Sequence, residues 1–512
     1  MTTLLERLRQ LGTDRLAGMR RGLEKESLRS LPSGALALTP HPAALGSALT
    51  HPHITTDYSE SQLELITGVH GSPEDCLAEL TRIHQFVYRT LADEKGGHGD
   101  ERLWVGSMPC GLPADETIPL GQYGRSNIGR AKSVYRMGLA HRYGRRMQTI
   151  SGIHFNWSLP GLGNDEYFAL IRNFRRQSFL LLLLFGASPA VCTTFVAGRE
   201  HALQPLAEST LHMPHGTSLR MGRLGYQSDA QATLAVSYNS LDSYASSLHD
   251  ALTRPWPDYE AIGLRNLGGE YNQLATSLLQ IENEFYGTIR PKRVIKSGER
   301  PLHALRERGV EYVEVRCMDL DPFVPVGIAA STMRFLDVFL LHCLLAPSAP
   351  DSPEEIAALA RNQHRTAAQG RQPGLRLERG TREVVLAEWA DEILWECAPL
   401  AEALDRSHGG SAYRDALAAA RHALAAPDSL PSARVLTTMR QDFGGSYTRF
   451  IRAQAEQTRQ QMLALPWLPE QQAAFAAMAR VSQLRREAIE AADTVDFETW
   501  RQAYLDPKTL GA

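Results

Sequence analysis

Residues 21–29 read RGLEKESLR, and the spacing within them decides the fold. Glu24 and Glu26 are two positions apart, so an extended strand sends both carboxylates to one face and Leu23 to the other. The same period recurs twice. In residues 147–158 (MQTISGIHFNWS) it puts Gln148, His154 and Asn156 on one face and Ile153, Phe155 and Trp157 on the opposite one. In residues 311–318 (EYVEVRCM) Tyr312, Glu314 and Arg316 share a face against Val313, Val315 and Cys317. Three such strands predict a sheet with one apolar face packed on helices and one wet face carrying Glu, His, Asn and Arg.

A fourth stretch, residues 54–67 (ITTDYSESQLELIT), reads as a strand end running into a helix. Asp57 and Glu64 are seven apart, two helical turns, and share a side if the helix begins near Asp57. Taken singly, each group has an ordinary explanation. A solvated edge strand accounts for Glu24 and Glu26, a capping box for Asp57 with Glu60, a hydrogen-bonded core residue for His154, and a cross-strand charge row for Glu314 with Arg316. Together they do not fit that account, because carboxylates gathered on one face repel and raise one another's pKa unless cations neutralise them. Magnesium is the natural cation, and acidic ligands with an arginine beside them suit phosphoryl transfer.

The sequence has no GxxxxGK[ST] and no GxGxxG between a strand and a helix, so side chains and metals must hold any nucleotide. Arg290, Lys292 and Arg293, after residues 280–286 (QIENEFY), form a basic cluster suited to phosphate or carboxylate, and equally to a solvated turn.

The chain has 512 residues, with 54 Lys and Arg against 57 Asp and Glu, a formal charge of -3 that argues for neither nucleic acid nor an anionic membrane as partner. A hydrophobic share of 43% and a charged share of 22% predict folding throughout. The opening residues lack an apolar h-region, and the apolar stretches 179–185 and 335–347 are too short to span a bilayer, so both read as core helices of a cytoplasmic protein. Six scattered cysteines without a CxxC pair read as core thiols. The part before about residue 321 mixes strands and helices. After the loop 346–353 (APSAPDSP) the chain reads as helical through 354–369, 384–407, 412–426 and, with interruptions, 447–505. The expected organisation is an α+β core, 1–345, with a helical C-terminal part, 346–512, packed on it and not independent.

The motifs GLEKESLR, HPAALGSALTHPHITTDYSESQLELIT, SMPCGLP, YGRSNIGR, RYGRRMQTISGIHFNWSLP, LFGASPAVC, TSLRMGRLGY, QIENEFYGTIRPKR and GVEYVEVRCMDLDPF, in this order, resemble the glutamate–cysteine ligase (γ-glutamylcysteine synthetase) family of proteobacterial type. The likeness runs from about residue 20 to about 345 and continues weakly through SARVL and EAADT near the C-terminus. It implies a curved antiparallel sheet like that of glutamine synthetase and the guanidino kinases, a funnel surrounded by helices. It implies ATP-dependent joining of the γ-carboxylate of L-glutamate to L-cysteine through γ-glutamyl phosphate, with Mg2+, or Mn2+ in its place, as cofactor. Carried over by position, the metal ligands are Glu24, Glu26, Asp57, Glu64, His154 and Glu314, with Arg316 and Glu314 catalytic. Tyr58, Tyr135, Arg136, Arg220, Tyr226 and Tyr286 shape the amino-acid pockets. An extra stretch, 94–99 (EKGGHG), and a short connection after Leu159 and Pro160 depart from the family pattern and read as surface loops. The enzyme is expected to be a monomer acting on small molecules. Another amine acceptor, or a silent homologue that only binds nucleotide or glutamate, are the competing readings.

Overall fold

The computed structural model describes residues 4–511 apart from 94, 95, 97, 226–228, 233 and 297. Tyr226 and much of the 94–99 stretch therefore lie outside the described residues. The strands, in chain order, are β1 (Arg20–Ser30), β2 (Ile54–Thr56), β3 (Gln62–Ile66), β4 (Arg102–Leu103), β5 (Ile153–Ser158), β6 (Ala190–Cys192), β7 (Gln204–Ala207), β8 (Thr210–His212), β9 (Ile289–Lys292), β10 (Tyr312–Met318), β11 (Arg376–Arg379) and β12 (Arg382–Val385). The main sheet runs β2-β3-β1-β5-β10-β9, with β4 pairing the end of β1, and every pairing is antiparallel.

β1 lies between β3 and β5, so Glu24 and Glu26 stand on an interior strand and not on a solvated edge. The alternation holds. Leu23, Phe155, Val313 and Val315 are fully buried on the far face, and Trp157 almost so. Each large apolar side chain buried there contributes about 1.5–3 kcal/mol. They join the helices Pro73–Ala92, Asn164–Gln177, Phe179–Phe185 and Ala330–Leu345 in one apolar cluster. The two apolar stretches are core helices as their composition predicts. Among the described residues no helix is long and apolar enough to cross a membrane.

Two local expectations need correction. Residues 54–67 do not turn into a helix: β2 and β3 form a hairpin in which Thr55 pairs Glu64. The Asp57 amide donates to the Gln62 carbonyl (3.0 Å), the Gln62 amide to the Ser59 carbonyl (2.8 Å), and Ser59 Oγ accepts from the Ser61 amide (3.2 Å). Serine side chains that bond their own backbone favour such a turn over a helix. Glu60 is then no cap residue; it is buried, and its carboxylate accepts the amides of His41 (2.9 Å) and Gln122 (2.7 Å). In 147–158 the strand is only Ile153–Ser158, preceded by a 3-10 turn, Met147–Thr149.

The C-terminal part is mostly helical, but β11 and β12 form a hairpin around Gly380 (φ +63°) in a stretch partly read as helix, which starts only at Leu386. A helix at Pro431–Asp442 also goes beyond the expectation. Apolar clusters run across both parts. The helix Tyr447–Ala464 packs on Pro73–Ala92 and on β4 and β6, while Ala412–Ala425 packs on Ala330–Leu345. Arg21 of β1 forms a fully buried ion pair with Asp337 (2.8 Å), and the Tyr413 hydroxyl lies 3.3 Å from both partners.

Candidate active site

Strand register assembles the site. Glu26 pairs Glu64 on β3, Glu24 pairs His154 on β5, Asn156 pairs Glu314 on β10, and Glu314 pairs Arg290 on β9. Directly paired residues bring their side chains within about 5.5 Å, so a row of charge crosses the wet face. A cavity of about 260 Å3 opens over it. Glu24, Glu26, Asp57, Glu64, His154, Glu314 and Arg316 line it, as do Tyr58, Tyr135, Arg136, Arg220 and Tyr286. Arg290 and Lys292 also line it. Arg293 does not. Its Nε pairs with Glu311 (3.4 Å) and its guanidinium donates to the Arg308 carbonyl (2.7 Å), so the basic cluster divides between the cavity and a surface turn.

His154 is the hub. Its Nδ1 lies 3.4 Å from Glu24 and 3.7 Å from Glu314, and its Nε2 lies 3.6 Å from Glu26. The donor atoms of Glu24, His154 and Glu314 all fall within 4.8 Å of one another, close enough to share one cation. Burial, with Arg316 adding to it, holds the imidazole pKa down and so keeps His154 neutral, the form that ligates metal. Asn156 donates to Glu24 (2.9 Å), and the Gly152 amide donates to Glu26 (2.7 Å). A side chain at Gly152 would collide with the Arg220 guanidinium, so this close approach requires glycine.

The carboxylates are not balanced alike. Burial pushes Glu314 up, but Lys292 (3.2 Å) and Arg316 (3.0 Å) outweigh it and hold its carboxyl well below the usual range. Glu24 is likewise held low against burial by its hydrogen bond with His154 and the nearby Lys292. Glu26 is pushed up to about 8 by burial and by Asp57, and Glu64 is raised well above its ordinary value by burial, Asp57, Glu24 and Glu26. That imbalance fits a hard divalent cation: three carboxylates repel at one end of the row, and an imidazole and two carboxylates converge at the other.

The cavity residues that the sequence analysis does not single out include Lys132, Asn283, Thr288 and Gln363. Lys132, Tyr135, Arg136 and Leu139 line the cavity from one face of the helix Asn127–Tyr143, at spacing i, i+3, i+4, i+7. That period was the signal available for Lys132. Its ammonium is pulled down to about 8 by burial and Arg136, against the opposing pull of Glu64 and Asp57. Gln148, placed on the wet face by alternation, reaches the cavity from the 3-10 turn and donates to the Tyr286 hydroxyl (2.8 Å).

Residues 5–366 match the family model described as glutamate-cysteine ligase. The chain belongs to the glutamate–cysteine ligase family. Relatives named glutamate–cysteine ligase include those of Azotobacter vinelandii, 48% identical with 94% of this chain and 93% of that one covered, and of Alcanivorax borkumensis, 45% identical with 96% of each covered. The fold matches the crystal structure of the Francisella tularensis glutamate–cysteine ligase in complex with AMP at TM-score 0.90 and 35% identity, covering 96% of this chain and 98% of that one. It also matches a bifunctional glutathione synthetase from Pasteurella multocida at TM-score 0.71 and 25% identity, spanning 60% of that longer chain. In this chain the acidic row stands on interior strands of that fold.

Proposed function

We propose that this cavity performs the family reaction: ATP-dependent ligation of the γ-carboxylate of L-glutamate to the amine of L-cysteine, giving γ-L-glutamyl-L-cysteine, ADP and phosphate, the first step of glutathione biosynthesis. The observation that carries the reading is the row of Glu26, Glu64, Glu24, His154 and Glu314 set by strand register, with Arg316 beside it.

The donor set fits Mg2+, or Mn2+. Glu24, His154 and Glu314 would hold it at one end, and Glu26, Asp57 and Glu64 at the other. When bound, the metal supplies neutralisation of the triphosphate and of the carboxylate that receives the phosphoryl group. Arg316, held by Glu314, faces the transferred γ-phosphoryl group, and Arg290 and Lys292 add positive charge along the same path. Arg220, anchored on the Arg316 carbonyl (2.8 Å), and Arg136, whose Nε donates to the Asp57 carbonyl, bind the amino-acid carboxylates. Tyr58, Tyr135 and Tyr286 shape the two amino-acid pockets and exclude water from the reactive acyl phosphate. The γ-carboxylate oxygen takes the phosphoryl group and ADP departs. The cysteine nitrogen then bonds the activated carbonyl carbon, the C–O bond to phosphate breaks, and the amine gives up its proton.

No enzyme nucleophile takes part. Cys317 faces the core, and burial pushes its thiol up to about 12. We read the enzyme as a cytoplasmic monomer with small-molecule partners only. A coupled assay of ADP release, with glutamate, Mg2+ and a panel of amines, tests this. Release that depends on cysteine is the expected result, preference for another amine would change the acceptor, and no release with any amine would remove the catalytic reading.

A further inference from the structure

A second cavity, of about 510 Å3, lies behind the turn that carries Arg220. Four guanidinium groups, Arg199, Arg223, Arg361 and Arg365, line it with the imidazoles of His201 and His364, against a single acid among the described residues, Glu200. Leu219, Leu224, Met213 and three alanines give it an apolar floor. Arg361 and Arg365 are held in place from outside by Glu378 (2.7 and 3.8 Å) and Glu383 (2.7 Å). Arg199 and Arg223 form no ion pair among the described residues. Arg199 is half-buried; its guanidinium donates to the neutral Leu224 carbonyl (3.2 Å) and lies over the Phe195 ring (5.5 Å). A half-buried guanidinium without a counter-charge favours an anion beside it, and forked donors favour carboxylate or phosphate oxygens.

Only one turn of chain separates this cavity from the active site. Ser218, Leu219 and Gly222 face the second cavity, whereas Arg220 and Met221 face the first. The helix Pro353–Gln369 is shared in the same way: Arg361, His364 and Arg365 point to the second cavity, and Gln363 lines the first and donates to the Met221 carbonyl (3.0 Å). Ser218 Oγ accepts from the Met221 amide (3.3 Å) and donates to Asp319 (3.0 Å), which fixes the other end of the turn.

We propose that the second cavity is a regulatory site for a small organic anion, a carboxylate or phosphate on a compact apolar body, and that its occupancy changes amino-acid affinity through the Arg220 turn. The binding half stands on the cavity alone; the coupling half rests on Arg220 as an amino-acid contact. Coupling of this kind is reciprocal, so the factor by which the anion changes amino-acid affinity equals the factor by which the amino acid changes anion affinity.

The test is calorimetric titration of the full chain, without nucleotide or Mg2+, with inorganic phosphate, glycerol 3-phosphate and succinate. The Arg199→Gln/Arg223→Gln double variant is titrated beside the wild type, and its thermal midpoint checks folding. Millimolar or tighter binding of at least one probe, weakened tenfold or more in the variant, is expected. The variant should keep the wild-type kcat and KM when no anion is added, and the bound probe should shift the wild-type KM for glutamate or cysteine at least threefold but not that of the variant. Wild type that binds no probe, or a variant that binds as tightly as wild type, overturns the site. Binding lost in the variant with no KM shift in wild type overturns the coupling. Absence of cysteine-dependent ADP release in a wild type that still binds the anion would strike the catalytic reading and leave the site standing.

Discussion

Glu314 is fixed by two cations at 3.0 and 3.2 Å and lies against the imidazole of His154, so its charge matters more than its shape. Glu314→Gln keeps the volume and removes the charge that holds Arg316 and that the proposed metal site would use. Turnover should fall by orders of magnitude while the thermal midpoint stays within a few degrees; a variant with wild-type kcat would end its assignment as a ligand. Lys132 has the opposite role. Its ammonium opposes Asp57 and Glu64 at the end of the row where carboxylates are least balanced. Lys132→Met should lower the midpoint without Mg2+ and enlarge the gain when Mg2+ is added, measured by thermal shift. An unchanged gain would show that Lys132 does not balance those acids.

Among the elements, β1 and β10 were legible because period-two alternation needs only neighbouring residues. The β2–β3 hairpin was misread because seven-residue spacing between Asp57 and Glu64 suits a helix, whereas serine turn chemistry selects the hairpin. Gln363 was not legible at all: no local pattern marks one glutamine, on a helix far along the chain, as a neighbour of Met221. The C-terminal helix Phe497–Leu505 acquires a role by contact, since Arg130 of the cavity helix stacks over Phe497 and Arg501 donates to the Leu274 carbonyl (2.6 Å). Hydrogen bonds from Arg501 hold the Glu498 carboxyl well below its ordinary value. A depressed carboxyl adds stability above its unfolded pKa, about 4.3, and that contribution is lost as pH falls below it. Hydrogen exchange should therefore show this helix loosening between pH 5 and pH 3 ahead of the sheet, and Glu498→Gln should loosen it already at pH 7.

Across the whole molecule, the Arg21–Asp337 pair with Tyr413 fastens the central strand to a core helix and to the C-terminal part. Asp337→Ala strands a buried guanidinium, which costs about 3–5 kcal/mol. Denaturant unfolding should record a loss of that size, and a loss under 1 kcal/mol would show the pair to be incidental. Because apolar clusters cross residue 345, we expect residues 1–345 alone to expose core surface and fail to unfold cooperatively, judged by the same titration.

The interior position of β1 also sets which kinds of mutation the protein tolerates. Inserting one residue before Leu23 would turn Glu24 and Glu26 toward the core and bring Leu23 onto the cavity face, and both flanking strands would lose partner register at once. Substitutions along β1 can be graded one side chain at a time, but a change in its length cannot. Inherited length variation should therefore collect in the turns on either side of β1 and spare the strand itself.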